Sequence, residues 1–148
     1  MYSHILVPVD GSALSDKALD HALQLARGIG ARVSTLHVVT NFVGDAGFEV
    51  PLLADTAREA FQQRAIDEAE AILARAVRQG EAQGVAVLTH FVLSSDPSRV
   101  IVDEADRRGC DLIVMASHGR RGLEALLLGS ETQKVLTHCK VPVLVVRG

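Results

Sequence analysis

The sequence predicts an α/β fold: an open, Rossmann-like sheet of five parallel strands with helices on both faces. Three observations predict it. Short apolar runs alternate with longer segments of helical period, in the order β-α-β-α-β-α-β-α-β. The second, fourth and fifth runs, VSTLHVV, LIVMA and VPVLVV, are nearly continuous apolar stretches, as in strands covered on both faces. The 148 residues, 48% of them hydrophobic, show no linker and no internal repeat, so one domain spanning residues 1–148 is expected.

The elements follow in order. His4 to Val9 is the first strand, ended by the turn residues Asp10-Gly11-Ser12. Leu14, Ala18, Ala22 and Leu25 share one helical face, and Gly28 and Gly30 break that helix. Val33 to Val39 is the second strand. Thr40 to Ala54, with Gly44, Gly47 and Pro51, lacks a sustained period and reads as the main surface loop. Asp55 to Gly84 is a long helix whose Ala57, Phe61, Ala65, Ala69, Ile72 or Leu73, and Ala76 can line one buried stripe. Its apolar spacing does not hold coiled-coil heptads. Ala86 to Leu93 is the third strand. Ser95-Asp96-Pro97 opens the next helix, which Gly109 ends. Leu112 to Ala116 is the fourth strand. After a glycine-containing loop, a last helix runs to about Thr137. Val141 to Val146 is the fifth strand, with Pro142 suited to a sheet edge.

Composition excludes several classes. Fifteen basic against 18 acidic residues give a net charge of −3, so nucleic acid and anionic membranes are not expected partners. Four Phe, one Tyr and no Trp leave little for base stacking. Cys110 and Cys139 make no disulfide framework, which fits a reducing compartment. No stretch approaches the ~20 apolar residues of a membrane span, and the start lacks a signal-peptide pattern, so a cytoplasmic protein is expected.

In an open parallel sheet, ligands bind beyond the C-terminal strand ends at a topological switch point. Asp10 lies at such an end. Its carboxylate either accepts from a nucleotide or makes an Asx-turn or helix cap. Met115 to Gln133 reads MASHGRRGLEALLLGSETQ. Gly119, Gly122 and Gly129 permit close backbone approach or simply make turns. Gly129-Ser130 precedes helix-compatible residues whose free N–H groups can cradle phosphate. Arg120 and Arg121 are either loop charges for an anion or solvated surface groups, and His118 either orients ribose or phosphate or faces solvent. Neither GxGxxG nor GxxxxGK[ST] occurs, and no HExxH or tight Cys/His set supports a metal site. His138-Cys139 lacks a positioning acid and an oxyanion site, so no catalytic residue is expected.

ILVPVDGS, SDKALDHALQLA, LHVV, DPSRVIVDEA, CDLIVMASHGRRG and LLLGSETQKVLTHCKVPVLVVR, in this order, resemble the universal stress protein family over nearly the whole chain. The resemblance implies strand order 3-2-1-4-5 and an adenine-nucleotide site. Against the family's Gly-x2-Gly-x9-Gly-Ser/Thr pattern the chain has Ala116, Gly119 and Gly129-Ser130. Asp10 matches the acidic residue near adenine or ribose. Val39 matches the residue whose backbone meets adenine, and Met115 the one beside the nucleoside. His118, Arg120 and the Ser130-Glu131-Thr132 backbone match the ribose-phosphate side. Ala116 departs from glycine, and Ser95 stands where many relatives carry Gly. The family includes members that do not retain ATP.

Two functions are therefore expected. One is an adenine-nucleotide-binding stress or signalling protein, with ATP or another adenine nucleotide, Mg²⁺ held mainly by phosphates, and at most slow hydrolysis. The other is a dimeric stress-associated interaction protein without useful nucleotide binding. A homodimer is expected through the last strand, at Val141, Val143, Leu144, Val145 and Val146. A bound nucleotide would shift the Thr40–Ala54 loop or a surface for an unidentified protein partner.

Overall fold

The computed structural model describes residues 1–40, 55–119 and 127–148. Its strands are β1 (His4–Pro8), β2 (Arg32–Val39), β3 (Val87–Leu93), β4 (Leu112–Ala116) and β5 (Val143–Val146). Its helices are α1 (Ala13–Ile29), α2 (Asp55–Ala82), α3 (Pro97–Arg107) and α4 (Ser130–His138). The sheet is parallel throughout, in the expected order β3-β2-β1-β4-β5.

Strand alternation sends side chains into two layers. Ile5, Val7, Val33, Leu112 and Val114 pack with Ala18, Leu19, Ala22 and Leu23 of α1 and with Ala69, Ile72, Leu73 and Ala76 of α2. Leu6, Leu36, Ile113 and Met115 pack on the other face with Ile101 and Ala105 of α3, Val135 of α4, and Cys110. Burial pushes the Cys110 thiol up to about 11, which leaves it a small apolar filler.

Several expected boundaries move. β1 stops at Pro8, although Val9 N–H still donates to Leu36 O at 2.8 Å. Gly28 lies inside α1. The breaker is Gly30, whose φ of 74° forms the left-handed cap and whose N–H donates to Ala26 O. Val141 and Pro142 precede β5, where the Pro142 carbonyl accepts from Ile113 N–H, so Val141 is not part of the edge strand. The expected stripe on α2 is buried only at Ala69, Ile72, Leu73 and Ala76. Ala57 and Ala65 are half-buried, and Phe61 is exposed. Length explains this: 28 helical residues run about 42 Å, against about 26 Å for the eight residues of β2, so the start of α2 overhangs the sheet. All of the expected Thr40–Ala54 loop except Thr40 lies outside the described residues.

The chain's beginning is clasped by Asp111, which precedes β4. Its carboxylate accepts from Ser3 N–H, Ser3 Oγ–H and His4 N–H at 2.9–3.1 Å. The amides of His4 and Ser3 hold the Asp111 carboxyl below its ordinary range.

Polar groups enter the α3 side of the sheet. His4 is 4% exposed, with Nε2 at 2.8 Å from Ser34 Oγ. His4 Nδ1 and His90 Nε2 are buried without a hydrogen-bond partner. Glu104 is also buried and accepts from Arg108 Nε at 2.7 Å. Burial lowers the pKa of both histidines. Arg32 and Arg108 add to this at His4, and Arg108 and His4 add to it at His90.

Candidate functional site

β1 and β4 are neighbours, but the chain leaves β1 for a helix on one face and β4 for a helix on the other. Their C-terminal ends therefore mark the switch point, the place where open parallel sheets bind ligands. On the β1 side, Asp10 closes an Asx-turn: Oδ1 accepts from Ser12 N–H at 2.9 Å, and its own N–H donates to Ser15 Oγ. Gly11 turns the chain at φ 82°, and Ser12 caps α1 by accepting from Ser15 N–H. The second carboxylate oxygen of Asp10 lies beside Gly119, three residues past β4, where an added Cβ would stand only 2.8 Å from it. Asp10 and Gly119, far apart in sequence, thus meet where the two strand ends adjoin.

On the β4 side, Ala116 is the last strand residue, in register with Val146. It is partly buried and packs against the α1-side core, so the methyl has a protein environment. Ser117 N–H donates to Val146 O at 2.9 Å, and Ser117 Oγ lies 3.3 Å from His118 Nδ1. Two bonds bring α4 to this segment: Gly129 N–H to Ser117 O at 2.7 Å, and the Oγ1 hydroxyl of buried Thr132 to Ala116 O at 3.0 Å. A Cβ on Gly129 would meet His118 Cα at 3.1 Å and Ser117 O at 3.3 Å. The glycine spacing left close backbone approach and ordinary turns both open, and here Gly129 permits one backbone to lie on another. A Val at position 129 would strain this packing before any ligand arrived.

α4 begins differently from its neighbours. Ser12 and Asp96 cap α1 and α3, whereas Gly129 offers α4 no side-chain cap. Gln133 N–H bonds back to Gly129 O, and the N–H groups of Ser130, Glu131 and Thr132 have no acceptor within the helix. The Glu131 side chain leaves this turn. Its Oε2 accepts from Ser98 N–H at 2.9 Å at the start of α3.

The remaining expected positions divide. Val39 is buried at the end of β2, with its carbonyl accepting from Ser94 N–H. The Met115 side chain is buried under α3 and α4, a core position one residue before the end of β4. Arg120, Arg121 and Gly122 lie outside the described residues. Among the described residues, no group of three His, Cys, Asp or Glu converges on a metal site.

Sequence reasoning missed two supports. His37 Nδ1–H donates to Val9 O at 2.8 Å, fixing the carbonyl before Asp10. The parallel register, with Pro8 opposite Leu36, carries that contact, and no motif marks it. Arg75 of α2 donates to Gly11 O at 3.0 Å and pairs with Asp16 at 2.8 Å, tying α2 to the same turn.

The sequence model of the universal stress protein family matches residues 1–147. The chain belongs to the universal stress protein family. Universal stress protein MJ0531 of Methanocaldococcus jannaschii is 34% identical, over 99% of this chain and 83% of that protein. The solved structure of MJ0577, a universal stress protein of the same organism, superposes with a TM-score of 0.82 at 30% identity, covering 100% of this chain and 97% of that one. The universal stress protein from Archaeoglobus fulgidus in complex with dAMP superposes at 0.70 with 25% identity, over 98% of each chain. No helix among the described residues is long and apolar enough to cross a membrane.

Proposed function

We propose that this universal stress protein binds an adenine nucleotide at the β1–β4 switch point and uses it as a stress or signalling ligand, with at most slow ATP hydrolysis. One observation carries the reading: the uncapped first turn of α4 is anchored beside the strand ends where Asp10 and Gly119 meet. Amides without an acceptor in their own helix, and the helix dipole, suit an anion there. The dAMP complex of the Archaeoglobus relative supports an adenine nucleotide as that anion.

Adenosine would lie toward Asp10, Val39 and the backbone at Met115 and Ala116. Its phosphates would lie near His118, Gly119, Arg120, Gly129 and the amides of Ser130, Glu131 and Thr132. Mg²⁺, with ATP, would be held mainly by phosphates, since it is a hard cation that keeps several waters. The packed methyl of Ala116 supports binding despite the departure from glycine. Residues 1–148 would act as one cytoplasmic domain. A homodimer through the β5 edge is supported by exposed Leu144 and Leu136, and the same surface supports a second reading, a dimeric interaction module without a nucleotide. A protein partner would respond to nucleotide occupancy.

Calorimetric titration of nucleotide-stripped protein with ATP, ADP and AMP tests the first reading. Saturable binding is expected, with ATP turnover below about 1 s⁻¹. No binding of any of the three would leave the second reading standing.

A further inference from the structure

We propose that Glu131 is a positioning residue: a strut that holds the open first turn of α4 against the first turn of α3, so that the turn's amides are pre-set for an anion. This rests on the nucleotide-binding reading.

α4 has nine residues and no side-chain cap, so its first turn depends on outside anchors. Gly129 and Thr132 supply two, both to the end of β4. Glu131 supplies the third, and it alone of the three reaches α3. The α3 side needs it as well. The Asp96 carboxylate accepts from Ser98 Oγ–H at 3.1 Å and from Arg99 N–H at 3.4 Å, and Glu131 Oε2 takes the Ser98 N–H. One carboxylate therefore caps α3 from another helix, while the amides of Ser130, Glu131 and Thr132 have no acceptor within α4.

Charge makes the role separable from simple electrostatics. A carboxylate in the first turn of a helix is attracted to the same amides that would take a phosphate, and it repels that phosphate. The bond to Ser98, with Lys134 Nζ at 3.4 Å from Oε1, draws the Glu131 charge toward α3. Removing the charge and removing the strut should thus shift anion binding in opposite directions. Glu131→Gln keeps an acceptor for Ser98 N–H and loses the charge. Glu131→Ala loses both.

The test titrates AMP and adenosine into wild type, E131A and E131Q, and follows Ser98 amide hydrogen exchange in the nucleotide-free proteins. E131A should bind AMP roughly tenfold more weakly than E131Q, which shares its loss of charge, the scale of one hydrogen bond, with adenosine affinity unchanged. E131Q should bind AMP at least as tightly as wild type. Ser98 exchange should quicken in E131A and stay slow in E131Q. If E131A and E131Q shift AMP affinity equally, or Ser98 exchange ignores the substitutions, the strut is refuted while nucleotide binding stands. A wild type that binds neither AMP nor ATP would overturn the binding reading and, with it, the role given to Glu131.

Discussion

Replacing Gly80 with Ala sets two effects of known sign against each other. Gly80 lies in α2, where Ala should gain about 1 kcal/mol from helix propensity alone. An added Cβ would stand 2.5 Å from Val87 Cγ2 and 2.6 Å from the Val85 carbonyl oxygen, well inside the 3.4 Å where ordinary contact begins. The carbonyl cannot swing away cheaply, because Val85 N–H is itself bonded to Gly80 O at 2.9 Å and leads directly toward β3. Overpacking costs about 1–3 kcal/mol, and contact with backbone belongs at the upper end of that range. The net expectation is a loss of about 2 kcal/mol. Urea unfolding followed by circular dichroism should give a midpoint lower by about 1 M with the slope unchanged. Gly28→Ala is the control. It is also inside a helix, but its Cβ would meet nothing within 4 Å, so stability should rise by up to about 1 kcal/mol. A G80A protein as stable as wild type would refute the claim that α2 seats its end on β3 through the missing side chain.

The pH dependence of stability reads the imidazoles of buried His4 and half-buried His90. Burial first, then neighbouring positive charge, lowers the pKa of His4 and His90 despite the opposing Asp111 and Glu104, so the unfolded chain takes up these protons before the native one. Their contribution is present above the ordinary value of 6.5 and should be lost as pH falls below it, with His90→Gln flattening the slope; equal stability at pH 7.5 and 5 would contradict this. At the other edge of the sheet, Leu144→Lys should convert dimer to monomer in light scattering at micromolar concentration, and a wild type that is monomeric there removes the β5 pairing.

Period and turn chemistry made most of the fold readable. Apolar runs marked all five strands, and Ser12, Asp96 and Pro97 marked two helix starts because their roles are local. What escaped depends on partners far along the chain. Spacing shows which face of α2 is apolar but not where the sheet beneath it ends, so Phe61 reads as core and stands exposed. Gly28 and Gly30 look alike until the left-handed φ of Gly30 separates them. In the site, Asp10 and the Gly129-Ser130 pair were legible as residues of a strand end and a helix start. That Gly129 abuts His118, or that Glu131 caps α3, required the third dimension.

The clasp of Asp111 on Ser3 and His4 has a bearing on how the chain assembles. β1, made first, becomes the middle of the sheet: it pairs with β2 only 28 positions later, through His4 and Arg32, but with β4 across 107 positions, through Ile5 and Leu112. During synthesis one side of β1 stays open until most of the chain has emerged. Long-range parallel pairing bears the entropy of loop closure before any contact rewards it. A growing chain ending after β3 would hold a three-stranded β3-β2-β1 half with a bare apolar edge of Ile5, Leu6 and Val7, open to a chaperone or to another nascent chain. Arrival of Asp111 supplies acceptors for the amides of Ser3 and His4 just as Leu112 comes into register, so the clasp sits where that edge begins to close.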